Sequence, residues 1–154
     1  MRGAVERAVS DEPSASPWLY DPSERDRATQ VHRSLENWLI RALRDRGVAP
    51  MDPAGEPYFD LAWRAGGRLY VCEVKSTTNS EVHQLRLAVG QILQYAQLLR
   101  RAGLDAVSPV ILIEGRPQSP EWVELCAALS IVLLWPSEWE SLAEILAPVG
   151  DGPA

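Results

Sequence analysis

Two short runs constrain this chain more than any other feature: "VILI" at 110–113 and "IVLLW" at 131–135 are apolar at every position. A strand turns successive side chains to opposite faces of its sheet. A strand that is apolar on both faces needs cover on both, which calls for a sheet with helices packed on either side. The intervening segments can supply that cover. "RDRATQVHRSLENWLIRALRDRG" carries Val31, Leu35, Leu39 and Ala42 at helical spacing, with Gly47 as a stop signal. "SEVHQLRLAVGQILQYAQLLRRAG" reads as a long helix capped by Ser80, with Val82, Leu85, Val89, Ile92, Ala96 and Leu99 as its core stripe. "SPEWVELCAAL" reads as a short helix with Pro120 in its first turn. "SEWESLAEIL" reads as a last helix, opened by a capping box of Ser137 and Glu140. "PYFDLAWRAGGRLYVCEVKS" reads as two strands joined at "AGG", a hairpin.

The expected order is therefore helix, hairpin, helix, strand, helix, strand, helix. That describes an α/β domain with a mixed β-sheet flanked by helices on both faces. Residues 25–147 are expected to form this single domain, with 1–24 as a flexible tail and 148–154 as a frayed end. A chain of 154 residues is long enough for one real core. Its net charge of -6 argues against a broad basic surface that grips nucleic acid by charge alone. It leaves room for an acidic centre neutralised by metal. The two cysteines, Cys72 and Cys126, have no paired spacing and read as reduced core residues. No apolar run reaches membrane-spanning length, and the first residues lack the apolar stretch of a signal peptide. The expectation is a cytoplasmic protein with no membrane partner.

One strand breaks the apolar rule. In "LYVCEVKSTT", Glu73 and Lys75 sit two apart, so a strand projects both from the same face. Upstream, Phe59, Leu61 and Trp63 alternate on one face of "PYFDLAW", and Asp60 lies on the other with Tyr58 and Ala62. If "AGG" pairs the two strands, Asp60 comes alongside Glu73 and Lys75. Two close carboxylates repel unless a cation lies between them. Mg²⁺ suits that need, being a hard ion with oxygen ligands, and Mn²⁺ can replace it. A lysine at its side can orient an attacking water and offset charge developing on a phosphate.

Asp60 followed by Glu73-Val74-Lys75 resembles the signature of the PD-(D/E)xK, or restriction-endonuclease-like, nuclease superfamily. Phe59 stands where the name of the superfamily has proline, a departure its members often show. The next helix carries Gln91 and Tyr95 one turn apart, similar to the Gln-x-x-x-Tyr motif of the branch that includes RecB-type nucleases. The resemblance spans residues 28–115. It implies a restriction-endonuclease-like core and a metal-dependent nuclease that hydrolyses phosphodiester bonds, with DNA as the expected substrate ahead of RNA. It implies Mg²⁺ or Mn²⁺ held by Asp60, Glu73 and the carbonyl of Val74, with Glu36 of the first helix as a further ligand. Lys75 then acts on the water and the phosphate, and Gln91 and Tyr95 support the site or the strand. Arg33, Arg41, Arg44 and Ser76 are the expected contacts to the nucleic-acid backbone. By analogy with the family, such a small chain is expected to work as a homodimer or beside a partner protein in a defence or repair system.

Each residue also has a plainer reading. Glu73 and Lys75 can be a solvated pair on an edge strand. Gln91 and Tyr95 can be the polar flank of an amphipathic helix. Glu36 can be a surface glutamate paired with Arg33. Glu114, at the end of "VILIE", can lie near the site, but no spacing requires it. His32 and His83 are single histidines on helices, with no catalytic role implied. A catalytically inert module of the same fold, binding nucleic acid or a protein, is the alternative to an enzyme.

Overall fold

A computed structural model describes residues 22–78 and 80–137. Along these the elements run α1 (Pro22–Arg44), β1 (Leu61–Ala65), β2 (Arg68–Val74), α2 (Glu81–Arg101), β3 (Val107–Leu112), α3 (Glu121–Ala128) and β4 (Val132–Leu134). The four strands form one mixed sheet in the order β1-β2-β3-β4. β1 and β2 are antiparallel, whereas β2–β3 and β3–β4 are parallel. The α/β class and the mixed sheet are thus as expected. No described helix is long and apolar enough to cross a membrane.

Alternation along β2 divides the core into two layers. Tyr70, Cys72 and Val74 point to one face and cluster with Leu35, Leu39 and Leu43 of α1. Leu69 and Val71 point to the other and cluster with Leu85, Ala88, Ile92 and Ala96 of α2 and Cys126 of α3. Both cysteines are free and buried. Helices therefore cover both faces, as the doubly apolar strands require.

Two turns set the frame for the site. Gly66 and Gly67 both have positive φ, the requirement of a two-residue type I′ hairpin, and Ala65 pairs directly with Arg68 across them. At the end of α1 the Val48 N–H reaches the Leu43 carbonyl at 3.0 Å and the Gly47 N–H reaches that of Arg44 at 2.9 Å. This is a Schellman stop, with Gly47 at φ 73° in the left-handed position.

Four local expectations are corrected. α1 starts at Pro22, so residues 22–24 are helical and do not belong to a tail. β1 starts only at Leu61, and Phe59 does not share a face with Leu61 and Trp63. It packs with the α2-side cluster, because a tight turn, with the Phe59 N–H on the Pro57 carbonyl at 3.1 Å, ends the two-residue alternation before the strand begins. Ser80 holds the cap position of α2 without a side-chain cap bond. The buried stripe of α2 is Leu85, Ala88, Ile92 and Ala96, while Val82 is 47% exposed and Val89 and Leu99 are half-buried. The expected last helix with Glu140, Trp139 and the frayed C-terminus lie outside the described residues.

Candidate functional site

The hairpin register decides what meets at the open end of β1 and β2. Leu61 pairs with Cys72 as the last rung of the ladder, and Asp60, just before the strand, lies close enough to the end of β2 for its charge to act on Glu73. The Asp60 N–H still reaches the Cys72 carbonyl at 3.1 Å, and the Val74 N–H donates to Asp60 Oδ2 at 2.7 Å. The Asp60 carboxylate is thereby clamped to the end of β2. Glu73 continues the Leu69–Val71 face and is 4% exposed. Its Oε1 accepts a hydrogen bond from Lys75 Nζ at 2.6 Å. A buried carboxylate needs such a partner, and this explains why the two charges come at strand spacing.

α1 contributes the other half of the cluster. His32 Nε2 lies 3.4 Å from Asp60 Oδ1 and 3.9 Å from Glu36 Oε2. One ligand atom from each of His32, Glu36 and Asp60 falls within 4.8 Å of the others. His32 was given no role from the sequence. The signal that could have found it is its four-residue spacing from Glu36, which stacks the two on one helical face.

Electrostatics follow the crowding. Burial pushes the Glu73 carboxyl above its ordinary range, Lys75 pulls against this, and the Asp60 charge adds to it. Glu36 is likewise raised, first by burial, with His32 opposing and Asp60 and Asp52 reinforcing. His32 is raised chiefly by its hydrogen bond to Asp60, against its own desolvation. The Tyr95 hydroxyl is raised by burial and then by the charges of Glu73 and Asp60, which places it within their reach. Gln91 Nε2 approaches the Tyr95 hydroxyl at a long 3.5 Å, and among the described residues Gln91 Oε1 is buried without a hydrogen-bond partner.

A cleft of about 540 Å³ opens between α1 and the connection from β2 to α2. Thr29, His32, Arg33 and Glu36 line one wall, and Lys75, Ser76 and Gln84 line the other. Asp60 and Glu73 do not line it, but each touches a residue that does. Arg33 therefore reaches the cleft. Arg41 and Arg44 lie in the last turn of α1, about 14 and 18 Å from His32 along the axis at 1.5 Å per residue. They do not join the other residues. The Ser76 hydroxyl is turned toward Thr78 Oγ1 at 2.9 Å and Glu114 Oε1 at 3.3 Å.

Glu114 is the second residue whose position the sequence left open. It receives the Thr77 N–H on both carboxylate oxygens at 2.9 Å and the Thr78 hydroxyl at 2.9 Å. Burial raises its carboxyl, but the bonds from the Thr77 backbone, its own backbone and the Thr78 hydroxyl outweigh that, and the net shift is downward.

The donor set suits a divalent cation. Carboxylates crowded together are stabilised by a positive ion between them. Asp60 and Glu36 are hard oxygen donors of the kind Mg²⁺ and Mn²⁺ take, whereas Glu73, bonded to Lys75, is not among the three residues grouped within 4.8 Å. The His32 imidazole tilts the set toward Mn²⁺, which accepts nitrogen more readily than Mg²⁺ does. No family model matches the sequence, and neither does any curated protein or any solved structure.

Proposed function

We propose that this protein is a metal-dependent nuclease with a restriction-endonuclease-like core, of the PD-(D/E)xK type that its sequence resembles. The observation that carries the reading is that Asp60, bonded to the Val74 N–H, and Glu73, bonded to Lys75, come within electrostatic reach of one another beside an open cleft. A buried carboxylate crowded by a second, half-buried acid is costly for a fold that makes no use of it.

Asp60, Glu73 and the Val74 carbonyl, joined by Glu36 and His32, are the groups to hold Mg²⁺ or Mn²⁺. When bound, the ion supplies Lewis acidity and charge neutralisation for the attack of water on a phosphodiester. The protein's own groups do the rest. The Lys75 ammonium orients the water and stabilises the negative charge that grows on the phosphate. Arg33, on the facing wall, holds the flanking backbone as a point of positive charge. Gln91 and Tyr95 close the α2 side, where the Gln91 oxygen, unpartnered among the described residues, offers an acceptor.

Incubation with plasmid, single-stranded DNA and RNA, in Mg²⁺, Mn²⁺ or EDTA, tests this directly. Cleavage in either metal and none in EDTA is expected, with DNA preferred. A protein inert on all three substrates in both metals would overturn it. A second reading is favoured by one observation: Asp60 already has His32 beside it, and Glu73 already has Lys75. These pairs let the acids persist without a metal, as an inert binding module would need. That module binds nucleic acid or a partner without cutting, and it takes up no ion at Asp60.

A further inference from the structure

The chain leaves the sheet directly after Lys75. The Lys75 N–H still follows the ladder, donating to the Leu112 carbonyl at 2.9 Å. Beyond it, Ser76, Thr77 and Thr78 cross toward α2, and Lys75 and Ser76 form part of the cleft wall. Among the described residues, one side chain two residues past the end of the neighbouring strand β3 gathers this crossing. The Glu114 carboxylate receives the Thr77 N–H on both oxygens, the Thr78 hydroxyl at 2.9 Å and the Ser76 hydroxyl at 3.3 Å. Bonds to an ionised acceptor are roughly twice as strong as neutral ones, by general experience. A second carboxylate, Glu81, ties the far end of the connection. It accepts the Gln118 N–H at 2.8 Å and the Ser119 N–H at 3.3 Å, and it does not line the cleft.

We propose that Glu114 is a positioning residue, which fixes Ser76–Thr78 and thereby keeps the Lys75 ammonium at Glu73 on the cleft wall. Lysine has a long, freely rotating stem, and a strand-end lysine keeps one geometry only where the chain on both sides of it is held. The ladder holds the chain before Lys75, and Glu114 holds it after. Groups of this kind, one shell away from the chemistry, set the orientation on which rate depends. The kinetic consequence rests on the nuclease reading, whereas the placement of Lys75 does not.

The experiment compares wild type with Glu114→Ala, Glu114→Gln and Glu81→Ala. It reads amide exchange at Thr77, the NMR resonance of the Lys75 ε-methylene, and the kcat and KM of cleavage. In Glu114→Ala, Thr77 exchange accelerates and the Lys75 resonance moves to that of a solvated lysine. Its kcat falls about 10- to 100-fold, the usual cost of losing such a supporting contact, while KM stays near wild type. Glu114→Gln recovers most of each signal, because its amide oxygen accepts the Thr77 N–H and its amide nitrogen can donate to Thr78. Glu81→Ala lowers the melting temperature but leaves kcat and the Lys75 resonance unchanged. An unmoved Lys75 resonance in Glu114→Ala overturns the proposal. So does an equal kcat loss in Glu81→Ala, which would make the effect one of general stability. A wild type without activity removes the nuclease reading alone, and the Lys75 resonance still decides the role of Glu114.

Discussion

Glu73 and Glu114 stand near the ends of adjacent parallel strands, and their surroundings push them in opposite directions. Glu73 is almost fully buried, accepts from Lys75 and feels the charge of Asp60; its carboxyl is raised, first by burial. Glu114 is half-buried and surrounded by hydroxyls and a backbone N–H; its carboxyl is lowered, because those hydrogen bonds outweigh burial. One carboxylate is satisfied by the fold as it stands. The other is held where ionisation costs stability until more positive charge arrives. A carboxylate with its donors complete is doing structural work, whereas one crowded by another acid is better suited to hold a cation.

The contrast breaks most sharply on function. Asp60→Asn and Glu73→Gln are each expected to lower cleavage by roughly 10²- to 10⁴-fold, the range for removing an essential charged group. Both also abolish Mn²⁺ binding by calorimetry. Lys75→Ala loses cleavage to a similar degree but keeps measurable metal binding, since the carboxylates remain. Equal metal affinity in wild type and both carboxylate variants would place the site elsewhere.

Stability is the next test, and here the two glutamates should differ in sign. Glu114→Ala strands the Thr77 N–H and is expected to cost about 1–2 kcal/mol, the penalty for a partly buried donor left without its acceptor. Glu73→Gln keeps the shape and still accepts from Lys75, while removing the repulsion with Asp60. Without metal its melting temperature should rise above wild type. With Mn²⁺ the order should reverse, because only wild type gains from binding. Melting curves in EDTA and in metal decide this, and a fall of Glu73→Gln below wild type in EDTA goes against the comparison.

The pH dependence sharpens the same point. Glu73 and Glu36 are raised from 4.5 and His32 from 6.5, so in all three the folded state holds its proton longer than the unfolded chain. Stability they contribute is present at low pH and is lost as pH rises, first above 4.5 for the glutamates and then above 6.5 for the histidine. Glu114 is lowered from 4.5, so its contribution is present above that value and lost as pH falls below it. Denaturant midpoints across this range, wild type against Glu73→Gln and Glu114→Gln, should diverge on opposite sides. Midpoints that move in parallel would remove the distinction.

The smallest effect is expected on the rim. Tyr95→Phe removes a hydroxyl whose bond to Gln91 is long at 3.5 Å. Cleavage should fall by roughly 2- to 10-fold, the worth of one ordinary hydrogen bond, with no change in melting temperature. A loss as large as that of Glu73→Gln would move Tyr95 into the reacting centre.

Much of this arrangement could be read in the residues alone. The runs at 110–113 and 131–135 demanded a sheet covered on both sides. The parity of Glu73 and Lys75 follows from the pleat of any strand. The glycines at 66 and 67 specify a two-residue hairpin, and a two-residue hairpin sets the register of β1 on β2. Where a tight turn overrode the alternation, at Phe59, the reading erred, since period-two logic holds only while the ladder lasts. Tertiary structure decided what sequence spacing cannot express. His32 comes to Asp60 only because α1 lies across the sheet at one particular rotation, set by the packing of Leu35, Leu39 and Leu43. Glu114 comes to Thr77 because β2 and β3 are parallel neighbours, and a parallel pairing is joined through a whole helix, α2, and not through a turn whose length could announce it.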